Sequence, residues 1–106
     1  MHFDHERLDV YQLMLGIARS AGRVAIPPSR KHLRDQLLRA VDSAVLNIAE
    51  GAGHPRGDAR RNHFRIALGS AAEAAAVLDI VGVSNTDSRH DDLRRVGAML
   101  AVMSRL

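Results

Sequence analysis

The sequence predicts an all-α protein, an antiparallel up-down-up-down four-helix bundle that occupies residues 1–106 as one domain. Runs rich in proline, glycine or short polar residues, at 27–29, 51–57 and 84–87, divide the chain into four segments. Within each segment, apolar side chains recur every three or four residues, which is the period of an α-helix. Because the connections are short, successive helices are expected to pack as antiparallel neighbours.

The first predicted helix runs from an N-cap at Asp4 to a point before Pro27. Phe3 and Leu8 occupy the N′ and N4 positions of a hydrophobic staple. Proline pushes the residue before it into extended conformations, so the helix is expected to end there. Two apolar stripes predict burial on more than one side: Leu8, Tyr11, Leu15 and Ala18, and Val10, Met14, Ile17 and Val24.

The second predicted helix is capped by Ser29 and ends at Gly51, a residue type common just past helix C-termini. Its apolar stripe keeps the helical period over more than four turns. The stripe comprises Leu33, Leu37, Ala40, Val41, Ala44 and Ile48.

The third predicted helix is capped by Asp58, and the fourth follows the linker at 84–87. Both carry apolar seams with alternating spacings of three and four, typical of helices that pack side by side. The seam of the third helix comprises Phe64, Leu68, Ala71, Ala75, Leu78 and Gly82. The seam of the fourth comprises Leu93, Val96, Leu100 and Met103.

Residues 67–76 of the third predicted helix include almost no bulky side chains. Gly69 inside a helix costs about 1 kcal/mol relative to alanine, and close approach of another backbone would offset that cost. Two interpretations remain open, namely one tight crossing within the chain and contact with a second subunit.

The composition excludes several classes of protein. The chain has no cysteine, which excludes a disulfide scaffold and any cysteine-ligated zinc or iron–sulfur site. No apolar run reaches the roughly 20 residues of a membrane-spanning helix, and the N-terminal residues lack the pattern of a signal peptide. We therefore expect a soluble, cytoplasmic protein without a membrane partner.

The net charge of +3 is unevenly distributed. Residues 19–65 carry ten basic and four acidic side chains, whereas the rest of the chain carries five basic and eight acidic ones. This imbalance favours a face that attracts polyanions, and the alternative is a set of solvated helix faces. Because aromatic residues are scarce, any nucleic-acid binding should be directed at phosphates and weakly sequence-specific. The candidate binding residues are Arg30, Lys31, Arg34, Arg39, Arg56, Arg60, Arg61 and Arg65.

Neither a metal site nor a catalytic site is predicted. None of the six histidines forms an i, i+4 pair with another, and no His-Glu-x-x-His motif occurs. Asp87 and His90 have carboxylate-x-x-His spacing, but no matching motif lies on another helix, so the histidines are expected on the surface. Ser43 and Ser70 lie within helices, where hydroxyls usually bond the preceding turn. No cofactor-binding loop is recognisable, so we expect neither a cofactor nor enzymatic activity.

Asn47, Glu50, Ser70 and Glu73 are predicted to form a structural polar network. The helix dipole opposes a glutamate in the last turn, so tertiary structure must favour Glu50. If the second and third helices are antiparallel neighbours, these groups meet inside the bundle, where a carboxylate must be paired or hydrogen-bonded. The network would fix the helix register and the turn after Gly51, and loss of either glutamate would lower thermal stability. The alternative is a carboxylate pair for acid–base chemistry.

From about Phe3 to its C-terminus, the chain resembles one family on residues that are specific in combination. These residues are Gln36, Leu37, Arg39, Ala40, Ser43, Asn47, Ile48, Ala49, Glu50, Gly51, Phe64, Ala67, Gly69, Ser70 and Glu73. The family is that of the four-helix-bundle proteins encoded in intervening sequences of 23S ribosomal RNA genes. Its relatives include the accessory variability determinant of diversity-generating retroelements. The chain differs at Leu38, where the family often has a basic residue, and in the loop at 54–58, where the family usually has a serine or threonine cap.

The resemblance implies a ring-shaped homopentamer that is not an enzyme, with the signature residues acting as determinants of fold and assembly. The retroelement relatives bind a reverse transcriptase and its RNA template through a basic surface. The implied partners are therefore further copies of the chain, RNA or DNA, and a reverse transcriptase. We expect an oligomeric bundle that binds structured RNA electrostatically or serves as an accessory subunit of a reverse transcriptase. The alternative is a structural or protein-interaction bundle with no nucleic-acid role.

Overall fold

The computed structural model describes residues 1–106 and has four α-helices with no strand. The helices are α1 (Asp9–Ser20), α2 (Lys31–Gly53), α3 (Asp58–Ile80) and α4 (Ser88–Met103). Short 3-10 turns occupy Asp4–Arg7, Ala21–Arg23 and Pro28–Arg30. The molecule measures 43 × 27 × 23 Å, and the predicted all-α bundle is confirmed. None of these helices combines the length and the apolar character needed to cross a membrane.

Contacts between α2 and α3 show that these two helices run in opposite directions. Gln36, early in α2, donates a hydrogen bond to Glu73, in the second half of α3, at 3.0 Å. Asn47, late in α2, bonds His63, early in α3, at 3.0 Å. A residue near the start of one helix is therefore level with a residue near the end of the other.

Helices α3 and α4 also run in opposite directions. Arg61, early in α3, donates to the backbone oxygen of Leu106 just beyond α4, at 3.3 Å. At the other end, Asp79 of α3 lies 3.9 Å from His90 in the first turn of α4. The turn between the two helices therefore reverses the chain direction.

The core draws large side chains from all four helices. The bulkiest side chains with almost no exposed surface are Phe64, Met14, Leu37, Ile48, Leu78, Leu100, Val41 and Val96. Burying an apolar side chain of this size contributes roughly 1.5–3 kcal/mol relative to leaving it exposed. All six residues of the predicted α2 stripe are buried, as are Leu93, Val96 and Leu100 of the predicted α4 seam.

The N-terminal segment differs from the prediction of one long first helix capped by Asp4. Asp4–Arg7 form a 3-10 turn, Leu8 is extended with φ −83° and ψ 126°, and α1 begins only at Asp9. Phe3 is 63% exposed, so the hydrophobic staple is absent. Phe3 instead lies 5.9 Å from the ring of His5.

The first helix ends at Ser20, several residues before Pro27, where the sequence requires it to have ended. After a 3-10 turn the chain becomes extended, and both Val24 and Ile26 are buried. Burial of these two side chains gives an apolar reason for leaving the helix before Pro27.

Besides the cap at Asp4, two further predicted helix caps are wrong. Ser29 lies inside the 3-10 turn that leads into α2, and it makes no cap hydrogen bond. The N-cap of α3 is Gly57, whose φ of 151° is a conformation that side chains rarely adopt, and Asp58 is the first helical residue. At α4, by contrast, Asp87 accepts a hydrogen bond from the backbone N–H of Arg89 at 2.8 Å and is a true cap.

Gly51 remains within α2, which continues to Gly53, so its predicted role as the residue after the helix is wrong. Its backbone does not need a positive φ. The requirement is for space, because a Cβ at this position would lie 2.6 Å from Cε1 and 2.9 Å from Cδ1 of Phe64. The missing side chain lets α3 bring an aromatic ring against the backbone of α2.

Candidate functional site

The turn between α2 and α3 brings together one carboxylate and two imidazoles. Glu50 lies in the last turns of α2, His54 follows the helix, and His63 lies in the second turn of α3. One ligand atom from each residue lies within 4.8 Å of the others. The rings of His54 and His63 are stacked, with centroids 5.2 Å apart and planes inclined by 13°. Glu50 is exposed and the two histidines are half-buried, so solutes can reach the group.

Asn47 determines how His63 is presented. Its Nδ2 donates to the backbone carbonyl of Ser43 at 2.9 Å, so its Oδ1 points towards Nδ1 of His63, 3.0 Å away. An amide oxygen can only accept, so the proton of a neutral His63 imidazole must be on Nδ1. The free lone pair is consequently on Nε2 of His63.

Two of the four residues of the predicted polar network, Asn47 and Ser70, belong to a row of hydrogen bonds between α2 and α3. Asn47 and Ser70 are linked through Ser43, whose Oγ lies 2.9 Å from Oγ of Ser70 and 3.4 Å from Nδ2 of Asn47. These side chains are half-buried. The row therefore provides polar contacts that match the register of the two helices.

The two glutamates do not meet inside the bundle, and the expectation that they are buried is wrong. Both Glu50 and Glu73 are exposed. Glu73 pairs with Gln36, which lies about 21 Å from Glu50 along α2 at 1.5 Å per residue. The serine and asparagine side chains of the row are half-buried between the helices, whereas both carboxylates are exposed and lie outside the row. The geometry offers no carboxylate pair for acid–base chemistry.

Some of the candidate nucleic-acid-binding residues have partners within the chain. At the start of α2, Arg34 donates to the backbone carbonyls of Gly22 at 3.3 Å and Ile26 at 3.5 Å. Arg30 donates to the carbonyl of Ile80 at the end of α3, at 3.4 Å. Positive charge stabilises the C-terminal end of a helix, so Arg30 contributes to the packing of this end of the bundle.

Arg60 has the most extensive internal contacts of the candidate set. Its Nη1 donates to the carbonyl of Ala52 at 3.4 Å and to that of His54 at 3.2 Å. Its guanidinium carbon lies 5.1 Å from the centroid of the Phe64 ring. Arg60 thus satisfies backbone carbonyls at the end of α2 and covers the aromatic ring that packs against α2.

Three arginines of the candidate set have no polar partner within the chain. Arg61 pairs with Asp58 in the first turn of α3. Arg39, Arg56 and Arg65, by contrast, are exposed and make neither a side-chain hydrogen bond nor an ion pair. Their guanidinium donors face solvent and are available to an external anion.

Local ion pairs lower the pKa values of two exposed carboxyls. A hydrogen bond of 2.9 Å from Lys31 holds the pKa of Asp35 below its usual value, and the charges of Lys31 and Arg39 act in the same direction. A contact of 2.9 Å with His2 likewise lowers the pKa of Glu6. Lys31 is therefore partly neutralised by a neighbour on its own helix.

The prediction that the histidines lie on the surface is wrong for His90. His2 and His32 are exposed, but His90 is only 3% exposed, with its Nε2 3.1 Å from the carbonyl oxygen of Val83. Asp87 caps α4 and forms no metal-type pair with His90. His90 is thus a buried histidine whose polar contact stabilises the loop before α4.

The Glu50–His54–His63 group was not among the sites predicted from the sequence. The motifs considered were His–His i, i+4 pairs, His-Glu-x-x-His and carboxylate-x-x-His, whereas Glu50 and His54 have i, i+4 spacing, which places them on one face of a helix end. His63 lies just beyond a short turn, where an antiparallel helix can return it to the same place. The i, i+4 spacing before the turn is thus the sequence signal for Glu50 and His54, and the approach of His63 depends on the folded turn.

The run of small residues in α3 has two different sides. Its inner side is buried in the core and comprises Ala67, Ala71 and Ala74. Its outer side exposes Ile66, Gly69, Ala72, Ala76 and Ile80. Ile66 is 43% and Ile80 is 56% exposed, and the exposed Glu73 lies between them on the same side of α3, so this side is largely apolar with one carboxylate.

Comparison with known proteins identifies the family. No curated protein and no solved structure gives a match to the chain. The sequence pattern of one family, described as 23S rRNA-intervening sequence protein, matches residues 6–101. This match covers all four helices except the last two residues of α4. The chain therefore belongs to the 23S rRNA-intervening sequence protein family.

Proposed function

We propose that the protein is a non-enzymatic, self-associating bundle that binds structured RNA through contacts to phosphates. The observation that carries this proposal is the exposure of Arg39, Arg56 and Arg65 without internal partners. A guanidinium group forms strong, charge-assisted hydrogen bonds to phosphate oxygens. Each such contact releases a condensed counterion and requires no reading of a base.

The aromatic residues favour phosphate contacts over base stacking. Phe64 is fully buried and Tyr11 is half-buried, so Phe3 is the only exposed phenylalanine or tyrosine. Proteins that bind unpaired bases usually present several aromatic faces along a groove. We therefore expect the RNA to be recognised by its folded shape and charge.

The basic residues lie towards both ends of one subunit. Lys31 and Gly53, the first and last residues of α2, are about 33 Å apart at 1.5 Å per residue. Arg30, Lys31 and Arg34 are near the first end, and Arg56, Arg60 and Arg61 are near the second. Assembly of several subunits would bring such clusters from different copies into one larger basic surface.

The exposed face of α3 supports self-association. Ile66, Gly69 and Ala76 follow one another at helical spacing on a surface that small side chains keep low. Low surfaces allow two helices to approach closely, and apolar area buried there stabilises the contact. We propose the homopentamer expected from the family resemblance as the assembly, and a reverse transcriptase as its protein partner.

Salt dependence of RNA binding tests the phosphate contacts. A fluorescently labelled RNA stem-loop is titrated with protein at several salt concentrations, and the slope of log K against log salt is measured. Replacing Arg39, Arg56 and Arg65 with glutamine should make the slope less steep by about one unit per arginine. The control replaces Arg7, Arg94 and Arg95 with glutamine and changes the net charge equally.

The control variant should keep the slope of the parent protein. A parental slope near zero would refute phosphate binding and favour a bundle that binds only proteins. Equal changes of slope in the two variants would mean that only the net charge affects RNA binding. Arg39, Arg56 and Arg65 would then not be specific phosphate contacts.

Light scattering tests self-association independently of RNA. One chain has a mass of 11.6 kDa, so five chains would give about 58 kDa. Ile66→Gln, on the exposed face of α3, should reduce the assembled mass, whereas Val102→Gln, on the 50% exposed side chain of α4, should not. A parental mass of a single chain at micromolar concentration would exclude self-association.

A further inference from the structure

We propose that Glu50, His54 and His63 form a binding site for a divalent transition-metal ion, with Zn²⁺ as the preferred ion. Two imidazole nitrogens and one carboxylate oxygen are a ligand set that suits Zn²⁺ with a fourth position for water. One ring nitrogen of each histidine and one carboxylate oxygen of Glu50 already lie within 4.8 Å of one another. This site is independent of RNA binding and of self-association.

The distances allow the ion to be bound with small side-chain movements. Ligand atoms in a tetrahedral zinc site are about 2.0–2.1 Å from the metal, which places them about 3.3 Å from one another. The separation of up to 4.8 Å must therefore shrink by about 1.5 Å or less. Glu50 is exposed and His54 lies in the turn after α2, so both side chains are able to rotate towards His63.

Asn47 provides an independent structural feature that favours metal binding. It accepts a hydrogen bond from Nδ1 of His63 and is itself held by the backbone carbonyl of Ser43. Metal-binding histidines usually donate their second ring nitrogen in this way, which fixes the tautomer and the ring orientation. Nε2 of His63 is left as the available ligand atom.

The ligands come from both sides of a tight turn. Glu50 and His54 belong to the end of α2, and His63 belongs to α3. A bound ion would therefore connect the two helices and restrain the turn between them. Glu50 and His54 line an open surface groove, so water can reach the fourth position of the ion.

The neighbouring positive charge of Arg60 is already held by backbone carbonyls and an aromatic ring. Arg60 bonds the backbone carbonyls of Ala52 and His54 and lies over the ring of Phe64. Its guanidinium is therefore already held at the end of α2, and Glu50 contributes the negative charge that a divalent cation needs.

The experiment measures Zn²⁺ binding by isothermal titration calorimetry on the full chain without a polyhistidine tag. The protein is first treated with a chelator and exchanged into metal-free buffer. We expect one Zn²⁺ per chain. His54→Ala, His63→Ala and Glu50→Gln should each weaken the affinity at least about tenfold, and Asn47→Ala should weaken it about 10–100-fold through the orientation of His63.

His32→Ala is the matched control, because His32 is exposed at the opposite end of α2. It should bind Zn²⁺ as tightly as the parent. Co²⁺ titration should give the intense visible absorption of a low-coordinate site, and the His63→Ala variant should lose this absorption. Because Glu50 is exposed, the Glu50→Gln variant should fold normally. The test therefore remains valid even if His63→Ala does not fold.

The proposal fails if the parent binds no Zn²⁺. It also fails if Glu50→Gln and His54→Ala bind as tightly as His32→Ala, since binding would then occur elsewhere on the chain. A parent that binds Co²⁺ only with the weak absorption of an octahedral, hydrated ion would equally contradict the proposed ligand set.

Discussion

Gly51→Ala is predicted to destabilise the protein although alanine is the better helix former. Gly51 lies within α2 and faces the ring of Phe64, which is fully buried. A Cβ at this position would lie 2.6, 2.9 and 3.2 Å from three atoms of that ring. Two of these distances are too short for carbon atoms, so the ring or the helix must move.

Two opposing effects determine the size of the loss. Forcing an extra methyl group into a well-packed core typically costs 1–3 kcal/mol, and the short distances place this site at about 2–3 kcal/mol. Replacing a helical glycine by alanine returns about 1 kcal/mol. The net change in unfolding free energy is therefore a loss of about 1–2 kcal/mol. For a chain of this length, with an unfolding entropy of about 2.1 cal/mol/K per residue, that loss corresponds to a drop in Tm of about 5–9 °C.

Urea unfolding followed by circular dichroism measures this change. The control is Gly16→Ala, because Gly16 lies within α1 and has nothing within 4 Å of the position of an added Cβ. Gly16→Ala should raise the stability by about 0.5–1 kcal/mol. The two glycine-to-alanine changes should thus shift the midpoint in opposite directions with similar m-values.

A double variant identifies the cause. In Gly51→Ala/Phe64→Leu, the smaller side chain leaves room for the new methyl group, so the combined loss should be smaller than the sum of the single losses. Additive losses would show that the ring is not responsible. A Gly51→Ala variant as stable as Gly16→Ala would refute the argument from close packing.

Two further predictions concern charged residues. Arg60→Gln should lower the unfolding free energy by about 1–2 kcal/mol, because it removes bonds to two carbonyls and the contact with an aromatic ring, whereas Arg65→Gln should leave it unchanged. Urea unfolding of both variants checks this, and equal stability would contradict it. Lys31→Met should raise the pKa of Asp35 towards its usual value in a pH titration followed by NMR, because the Lys31 hydrogen bond is the largest cause of the lowering. Since the folded pKa is lowered, the pair stabilises the fold at neutral pH and loses this effect as the pH falls through that pKa, and an unchanged titration in the variant would contradict the assignment.

The fold was predictable wherever the apolar period was long and local. The stripe of α2, from Leu33 to Ile48, is buried as its spacing indicates, since helix geometry alone places those side chains on one face. The first helix was predicted less well. Its shortening depends on the extended conformation of Leu8 and on the burial of Val24 and Ile26, which are tertiary effects that a local pattern does not contain.

The candidate site was predictable only in part. Asn47 and Ser70 were expected to link α2 and α3, and the structure gives them a shared partner in Ser43. The proximity of His54 and His63 depends on the direction in which the chain returns after the turn, which sequence spacing does not specify. Whether an arginine has a partner within the chain also depends on which backbone carbonyls lie near its side chain. Folding brings these carbonyls into place, so the sequence alone does not show them.

Close packing at Gly51 and the proposed metal site are physically connected, because Phe64 and His63 are consecutive residues of α3. The ring of Phe64 rests against Gly51, and this contact sets how closely the start of α3 approaches α2. A Cβ at Gly51 that pushes α3 outwards would also move His63 away from Asn47. Gly51→Ala should therefore weaken Zn²⁺ binding at temperatures where the variant is fully folded, whereas Gly16→Ala should leave it unchanged. Lower stability with parental Zn²⁺ affinity would show that the Phe64 ring repacks alone while α3 keeps its position.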